Sequence, residues 1–501
     1  MIDESNLEIK PGIDKGKNKN KNKNKSKLLG QGSYGCVYYP GISCDGKLNK
    51  KSYVTKLQEI GFYSANEIAI GKYIKKHIPN YKALYAPIIK HCIVSFQTIQ
   101  QSDLNISDCE TLFPKSTDNN NDNYYGNDFY GNDFYGNNSS DSYVKKYDNY
   151  DNYNNYENIK INYEKLHTKY YLMYMNYIHN KTLKKYFTNY KTFNLYVVDL
   201  LKTFFIVIKS IGMLVNNKII HNDLHVNNIL INLKNNKPVV IDYGLSMFYD
   251  KCFKYQKKNI DFEYLKLLIF DFRDDQYHVI LEKRFLSFII YNKSDNYSAS
   301  ISNNYQKNEL TQSIIDIFIK DSYESIANQK VIDFNNVELA EYYKSIKQFY
   351  YQFLNKSKYP DYNVIIIYLL KFLFKYTDLY SLVFDIYYIH KSVIFDSSIE
   401  TDNSASNLLF GFFLKLFKKT LHPNPLMRLQ HNELSNICDY IITTIKNSEN
   451  ALDYDVFIKE FNDFLTSHSI SFKSVFNKKF SYLDFRIIIS EKVSAFIKQH
   501  F

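Results

Sequence analysis

The sequence predicts an α+β fold in two lobes, a small β-rich N-terminal lobe followed by a larger, mainly helical C-terminal lobe. Short strand-like runs dominate residues 27–57 and 88–98, and a helical period is confined to about 66–78. After residue 177, long amphipathic stretches take over, interrupted by HNDLHVNNILIN and PVVIDYGLS. At 501 residues and 45% hydrophobic composition, the chain can bury a core in each lobe.

Composition excludes several classes of protein. No apolar run is long enough to cross a bilayer, and the polar N-terminus predicts no signal peptide. The cysteines are scattered without CxxC spacing, so the sequence predicts reduced thiols, no zinc site and no disulfide framework. A cytoplasmic protein is expected. The cysteines are Cys36, Cys44, Cys92, Cys109, Cys252 and Cys438.

Low-complexity segments divide the chain. Residues 15–27, KGKNKNKNKNKSK, predict a disordered basic arm, which could contact nucleic acid through the net charge of +11. Residues 115–160 repeat Tyr, Gly, Asn and Asp, and 291–308 are similarly polar; both predict surface insertions. We expect a monomer. The predicted domains are an arm (1–26), an N-lobe (27–175, insertion about 104–160), a C-lobe (176–448, insertion about 250–370) and a helical extension (449–501).

LLGQGSYGCVYYP, residues 28–40, is a glycine-rich motif between β-forming residues. Glycine lets a backbone turn tightly and approach a phosphate without an intervening Cβ, and backbone N–H groups can then bind phosphate oxygens. A dinucleotide-binding version would lead directly into a helix, whereas GCVYY continues as a strand. The motif predicts a hairpin that covers a nucleotide, with an ordinary glycine-rich hairpin as the alternative.

A lysine and a glutamate are predicted to face the core together. In SYVTKL, strand alternation places Val54 and Lys56 on one face, where a lysine is costly unless it meets an anion. In NEIAIGKYIKKHI, isoleucines recur every four residues as a buried stripe, and Glu67 lies on the same helical face. We expect an ion pair between Lys56 and Glu67. The alternatives are a surface lysine, or Glu59 as its partner.

HNDLHVNNIL, residues 221–230, has the residues of a catalytic loop. Asp223 can act as a general base or orient a hydroxyl nucleophile, and Asn228 offers a neutral oxygen to a magnesium ion. Downstream, PVVIDYGL ends a strand-like run at Asp242 and Gly244, a suitable place for a metal ligand. With the hairpin and Lys56, these are the parts that phosphoryl transfer needs.

Taken in order, these motifs resemble those of the protein-kinase family over about 27–430. GQGSYGCV resembles the glycine-rich loop, YVTK the lysine strand, HNDLHVNN the catalytic loop and DYG the metal-binding aspartate motif. YMNYIHNKTL resembles the hinge, DLYSLV the large helix under the catalytic loop, and NPLMRL the late motif whose arginine forms a structural ion pair. LGQGSYGCVYYPG, NEIAIGKYI and HNDLHVNNIL are also similar to serine/threonine kinases of giant DNA viruses such as mimivirus.

The resemblance implies ATP and Mg²⁺ as cofactors, a protein substrate, and roles for the matching residues. Lys56 would bind the α and β phosphates, and Asp223 would orient the acceptor hydroxyl. Asn228 and Asp242 would bind Mg²⁺, and Met175 would be the gatekeeper. The implied catalytic residues are Asp223, Lys56, Asn228 and His225. The implied ATP contacts are Leu29, Gly30, Gln31, Gly32, Ser33, Tyr34, Gly35, Cys36, Val37, Lys56, Glu67, Met175, Asn176 and Ile178.

Three departures from the family pattern bear on function. Asn222 replaces the usual arginine, which predicts activity that depends little on activation-loop phosphorylation. His225 stands where serine/threonine kinases usually have a lysine, and it either donates to the transferring phosphate when protonated or bonds within the loop. No A-P-E motif is visible in the unusually long segment between Asp242 and Asp378, which leaves Arg428 without an assigned partner.

The leading hypothesis is an ATP-dependent protein kinase that acts on Ser/Thr hydroxyls, in a host cytoplasm or virion if the chain is viral. A small-molecule phosphotransferase is the second hypothesis, supported by His225 and the missing A-P-E motif. A pseudokinase scaffold is the third, weakened because Lys56, Asp223, Asn228 and Asp242 are all present.

Overall fold

A computed structural model describes most of the patterned sequence. The N-terminal arm before residue 26, residues 115–160, most of 291–308 and the C-terminal extension lie outside the described residues, so the predictions for them stay predictions. The described residues are 26–48, 53–113, 168–187, 193–254, 259–269, 279–292, 310–328, 336–395, 419–422 and 424–436.

Strands and helices are both present, as the α+β prediction requires. The strands are β1 Lys27–Gly32, β2 Gly35–Tyr39, β3 Tyr53–Glu59, β4 Lys90–Ser95, β5 Lys169–Asn176, β6 Asn180–Thr182, β7 Ile219–Ile220, β8 Ile229–Asn232, β9 Lys237–Val240, β10 Met247–Phe248, β11 Phe253–Lys254 and β12 Asn259–Ile260. The helices are α1 Phe62–His77, α2 Phe96–Gln100, α3 Leu183–Phe187, α4 Phe193–Asn216, α5 Phe262–Leu268, α6 Leu281–Asn292, α7 Gln312–Asn328, α8 Asn336–Tyr351 and α9 Tyr362–Phe395.

Backbone contacts divide the chain into two compact units. The first is drawn from Met1–Glu59 and Cys92–Tyr174, and the second from Ile60–His91 and Met175–Phe501. The boundaries of the predicted lobes and extension stay a prediction. The first unit holds most of a five-stranded sheet with the order β1-β2-β3-β5-β4.

Strand β3 is buried on both faces. Val54, Thr55, Lys56, Leu57 and Gln58 are all below 9% exposed, so the predicted alternation does not separate an inner from an outer face. A strand covered on both sides loses the period of two that identifies a half-buried strand. Lys56 is buried as expected.

The prediction of reduced cysteines and no disulfide framework is wrong for the described residues. Cys36 is bonded to Cys109 and Cys44 to Cys92, with Cα–Cα distances of 6.0 and 6.2 Å. The paired residues are 73 and 48 positions apart in sequence, so a search for close spacing could not find them. Cys252 is a buried free thiol, as expected.

Helix α1 confirms the predicted helical segment and begins four residues before it. Its first turn is closed by Ser64, whose Oγ accepts a hydrogen bond from the Gly61 N–H at 3.0 Å. Basic residues occupy its last turn, where they complement the helix dipole. Glu67 is 1% exposed and lies on the buried face with Ile70 and Ile74, as the four-residue period predicts.

The second unit is built around the long helix α9. Residues such as Leu379, Leu382 and Ile386 are fully buried, and buried residues on nearly all sides identify a central helix. Helix α4, the small sheets β6-β8-β9 and β7-β10, and α6 contribute to the same hydrophobic core. The core thus supports the loops that follow β7 and β9.

Helices α6, α7 and α8 occupy much of the segment predicted as a long insertion at about 250–370. An aromatic cluster joins them: the Phe285 ring centroid lies 4.8 Å from that of Phe318 and 4.7 Å from that of Tyr350. Such pairs contribute about 0.5–1.5 kcal/mol beyond the burial of their area. Within the described parts of the chain, no helix is both long and apolar enough to span a membrane.

Candidate active site

The glycine-rich motif forms the predicted hairpin in the first unit. Gly32 pairs with Gly35 across a two-residue turn, and Gly30 pairs with Val37. A Cβ added to Gly30 or Gly32 would meet no atom within 4 Å, so open space faces both residues. A Cβ on Gly35 would overlap the carbonyl oxygen of Leu57 on β3, which means that Gly35 is needed for strand packing.

Segment 109–111 is attached to the hairpin by a disulfide and two hydrogen bonds. Besides the Cys36–Cys109 disulfide, Gln31 Oε1 accepts a hydrogen bond from the Glu110 N–H at 3.2 Å. The Thr111 hydroxyl donates to the Gly32 carbonyl at 3.1 Å. The side chain of Cys36 is therefore engaged by this segment, which sequence reasoning did not connect to the hairpin.

Lys56 is 8% exposed on β3, opposite Val37 of the hairpin strand β2. The predicted hinge follows β5, which ends at Asn176, and leads into β6. Met175 is 9% exposed, and the Ile178 carbonyl accepts a hydrogen bond from the Asn180 amide at 2.6 Å. The roles of these residues toward a nucleotide stay predictions.

Asp378 of α9 holds the predicted catalytic loop, residues 221–230, hereafter the catalytic loop. The carboxylate accepts hydrogen bonds from the backbone N–H groups of His221 at 2.7 Å and Asn222 at 2.8 Å. Burial raises the pKa of Asp378, while the charge of His221 and these two hydrogen bonds oppose the shift. The position expected for DLYSLV, on a large helix under the catalytic loop, is confirmed.

Asn222 has a left-handed backbone with φ of 67°, a conformation in which asparagine is enriched among non-glycine residues. Its side-chain amide donates to the carbonyl oxygens of Leu245 at 2.9 Å and Leu268 at 3.0 Å. Asn222 therefore links the loop to the segment that follows Asp242 and to the end of α5. Both acceptors are backbone carbonyl oxygens, which the neutral Asn222 amide can bind without a positive charge.

Asp223 and Asn228 are held together. The Asn228 side-chain amide donates to the Asp223 backbone carbonyl at 2.8 Å and to Asp223 Oδ2 at 3.2 Å. The side chain of Asp223 is 22% exposed, so its carboxylate reaches the surface of the unit. An amide whose nitrogen bonds to Asp223 keeps its own oxygen for another partner.

His225 faces the same carboxylate. Its Nε2 lies 3.9 Å from Asp223 Oδ2, and its Nδ1 accepts a hydrogen bond from the Asn227 N–H at 3.3 Å. With Nδ1 as the acceptor, a neutral ring carries its proton on Nε2, toward Asp223. The structure thus shows a bond within the loop and leaves the predicted role toward a phosphate untested.

Two paired strands place Asn228 and Asp242. Asn228 lies directly before β8, and Asp242 lies two residues after the end of β9. The Ile241 N–H donates to the Asn228 carbonyl at 3.0 Å, which extends the β8–β9 ladder to the residue before Asp242. A Cβ on Gly244 would lie 3.6 Å from Asp242 Oδ1 and 3.9 Å from Glu67 Oε2.

This donor set fits the magnesium ion of a nucleotide complex. Mg²⁺ prefers oxygen ligands and typically takes one or two protein carboxylates together with substrate phosphates. Asp242 would supply a carboxylate and Asn228 an amide oxygen. In the part of the chain that the structure describes, no cluster of three or more His, Cys, Asp or Glu residues could hold a metal.

Arg428 has a partner that the sequence did not reveal. Its Nη1 and Nη2 donate to the two carboxylate oxygens of Glu282 at 2.9 and 3.1 Å, and both side chains are almost fully buried. The ion-pair role expected for Arg428 is confirmed. Glu282 is thus the partner that the sequence left unassigned, and no A-P-E motif surrounds it, since residues 280–282 are Ile-Leu-Glu.

Two further charged residues at the loop were missed. Lys283 donates from Nζ to the Asn222 carbonyl at 2.9 Å, and Asp385 of α9 accepts from the Val226 N–H at 2.8 Å. Burial raises the pKa of Asp385 to about 8, and the charge of Asp223 adds to the rise. Asp385 lies two helical turns after Asp378, a spacing that could have indicated a second contact on the same face.

Comparison with protein families gives one match. A family model described as protein tyrosine and serine/threonine kinase matches residues 135–266. The match includes the hinge, the catalytic loop and Asp242, and it supports a place for the chain in the protein-kinase superfamily. The glycine-rich hairpin, Lys56 and Arg428 lie outside the matched range. No curated protein matches the chain, so the resemblance to kinases of giant DNA viruses stays a prediction.

Proposed function

We propose that this chain is an ATP-dependent protein kinase that transfers the γ-phosphate of Mg-ATP to Ser/Thr hydroxyls of a protein substrate. The observation that carries the proposal is the hydrogen bond between the side chains of Asn228 and Asp223. The loop that contains them is held by hydrogen bonds from its backbone to Asp378. The ladder contact from Ile241 brings Asp242 next to this pair.

Each residue has a distinct task in the proposed reaction. Asp223 orients the acceptor hydroxyl and takes its proton, which needs a partly exposed carboxylate in a fixed position. Asp242 and Asn228 hold Mg²⁺, which neutralises charge on the transferring phosphate. Lys56 binds the α and β phosphates and pairs with Glu67. The glycine-rich hairpin covers the phosphates through its backbone N–H groups, and the segment Asn176–Ile178 contacts adenine.

The experiment is transfer of radiolabelled γ-phosphate from ATP to a basic and an acidic generic protein, followed by identification of the labelled amino acid. We expect labelled serine or threonine with Mg²⁺ present. Asp223→Asn should lower kcat by about 10²- to 10⁴-fold, the usual contribution of a positioned acid or base. Asp250→Asn, which changes an exposed carboxylate outside the loop, is the matched control and should keep full activity.

Equal labelling by wild type and Asp223→Asn would overturn the assigned role of Asp223. Labelled tyrosine in place of serine or threonine would change the substrate class within the superfamily. A chain that fails to transfer phosphate and shows no thermal shift with Mg-ATP would support the scaffold alternative, because saturating ligand at 100-fold excess over Kd stabilises by about 2.7 kcal/mol.

A small-molecule phosphotransferase remains the second candidate, favoured by the approach of His225 to Asp223. Its other support, the absence of an A-P-E motif, is weakened because Glu282 supplies a partner for Arg428. Phosphorylation of a sugar or amino alcohol, with no transfer to protein, would favour this candidate.

A further inference from the structure

One buried lysine near the candidate active site has no task in the proposed reaction. Lys283 lies in the first turn of α6 and is 5% exposed. Its Nζ donates to the carbonyl oxygen of Asn222 at 2.9 Å, directly before Asp223. Burying an ammonium group is costly unless it meets carbonyl or carboxylate oxygens. The position of this lysine therefore calls for an explanation beyond packing.

We infer that Lys283 is a positioning residue for Asp223: it fixes the Asn222–Asp223 peptide and supplies a lysine charge that positions 222 and 225 of the loop do not supply. This inference rests on the proposed function, since it assigns a role in the same phosphoryl transfer. Lys283 acts through Asp223 and is too deeply buried to bind the acceptor protein.

The first argument is the backbone of Asn222. This backbone is left-handed, a conformation in which asparagine is enriched among non-glycine residues, and the N–H, the carbonyl and the side-chain amide of the residue are all bonded. The N–H of Asn222 is bonded to Asp378, its side-chain amide to Leu245 and Leu268, and its carbonyl to Lys283. The Lys283 contact is the one that holds the carbonyl of the peptide leading into Asp223.

The second argument is charge. Two acidic side chains act on Lys283, that of Asp223 in the loop and that of Asp378 on α9, which binds the His221 and Asn222 N–H groups. Positions 222 and 225, where the family resemblance expects cations, hold asparagine and histidine. Burial lowers the pKa of Lys283 to about 8, and the charges of Asp223 and Asp378 oppose this shift. The ammonium form is therefore favoured by the same two carboxylates that it faces.

The third argument is the anchoring of Lys283. The preceding residue, Glu282, forms the bidentate buried pair with Arg428. Because Glu282 is fixed by Arg428, the backbone of Lys283 beside it is fixed as well. The Lys283 side chain therefore starts from a defined position when it reaches the Asn222 carbonyl. Adjacent residues in the first turn of α6 thus have two tasks, one toward Arg428 and one toward the catalytic loop.

The experiment compares wild type with Lys283→Met, Lys283→Arg and the control Lys266→Met. Lys266 is an exposed lysine on the neighbouring helix α5. For Lys283→Met we expect kcat to fall by about 10- to 100-fold, the scale of a lost hydrogen bond from a charged group. The KM for ATP should stay within about twofold, since the ATP contacts are unchanged. Lys283→Arg should recover part of kcat, and Lys266→Met should match wild type.

Unchanged kcat in Lys283→Met would overturn the inference. So would a parallel loss of kcat, ATP affinity and thermal stability with no recovery in Lys283→Arg, because that pattern indicates a purely structural role. If wild type transfers phosphate to a small molecule instead of a protein, the proposed acceptor is wrong, and the same kcat comparison is made with that acceptor.

If wild type transfers no phosphate at all, a measurement of stability still tests Lys283. It separates a failure of the proposed function from a failure of the inference about Lys283. Among the described residues, the charges that act on Lys283 include those of Asp223 in the loop and Asp378 on α9, and Glu282 and Arg284 are its neighbours on its own helix. Its folded-state pKa of about 8 lies below the ordinary 10.5, so the unfolded chain binds more protons between these values. Wild-type unfolding free energy should rise with pH in that window relative to Lys283→Met. Parallel pH profiles would overturn the inference.

Discussion

The glycine-rich hairpin and the catalytic loop are stabilised in different ways. The hairpin of β1 and β2 is built from neighbouring strands, with one lateral attachment at 109–111. The catalytic loop forms hydrogen bonds of its own, and it is also held by residues far along the chain, among them Leu268, Lys283, Asp378 and Asp385. The comparison teaches that local pairing shapes the first motif, while long-range hydrogen bonds shape the second.

The largest effect should come from breaking the long-range support. Glu282→Ala leaves the Arg428 guanidinium buried without its carboxylate, and we expect a loss of about 3–5 kcal/mol in the free energy of unfolding. Urea denaturation of the second unit measures it. The control is Asp250→Asn, which breaks the exposed pair with Lys218 and should cost about 0–1 kcal/mol. Similar losses of unfolding free energy in Glu282→Ala and Asp250→Asn would contradict the importance of the buried pair.

Removing the lateral attachment of the hairpin should have the next largest effect. Cys36→Ser opens a loop of 73 residues, and we expect a loss of about 2–4 kcal/mol under oxidising conditions that largely disappears with dithiothreitol. Urea unfolding with and without reductant measures it. Cys252→Ser changes a free buried thiol, so its effect should not depend on reductant. A loss in Cys36→Ser that persists unchanged in reductant would refute the disulfide.

Substitutions of two hairpin glycines test how far local strand packing stabilises the hairpin. Gly35→Ala places a Cβ against the Leu57 carbonyl, and we expect about 1–3 kcal/mol of destabilisation from overpacking. Gly32→Ala meets open space and should change stability by no more than about 0.5 kcal/mol. Thermal denaturation of the two variants tests this difference, and equal melting temperatures would show that β2 and β3 separate easily.

The smallest effect concerns phosphorylation. Because Asn222 bonds to the backbone carbonyls of Leu245 and Leu268, it presents no cation that a phosphate would have to neutralise. Phosphatase treatment should therefore leave kcat unchanged, measured beside a phosphopeptide that confirms the phosphatase is active. A fall of about tenfold or more would show that phosphorylation orders the site through another residue.

Much of this could be predicted from sequence because the signals are local. The period of α1 located buried Glu67 together with Ile70 and Ile74, and the glycine spacing located the hairpin. The order of motifs located Asp223, Asn228 and Asp242 on or beside β8 and β9. Glu282 was missed because neither alanine nor proline of its motif is present, and Cys36–Cys109 because its spacing is long.

The sequence by itself determined the kind of chemistry, since a hairpin, a lysine strand and a catalytic loop each depend on residues close together in the chain. Only the tertiary structure decided what holds that chemistry in place. Asp378, Lys283 and the Glu282–Arg428 pair reach their partners across 61 to 157 residues of sequence. Such contacts follow from how α6 and α9 pack, and no local spacing records the geometry of packing.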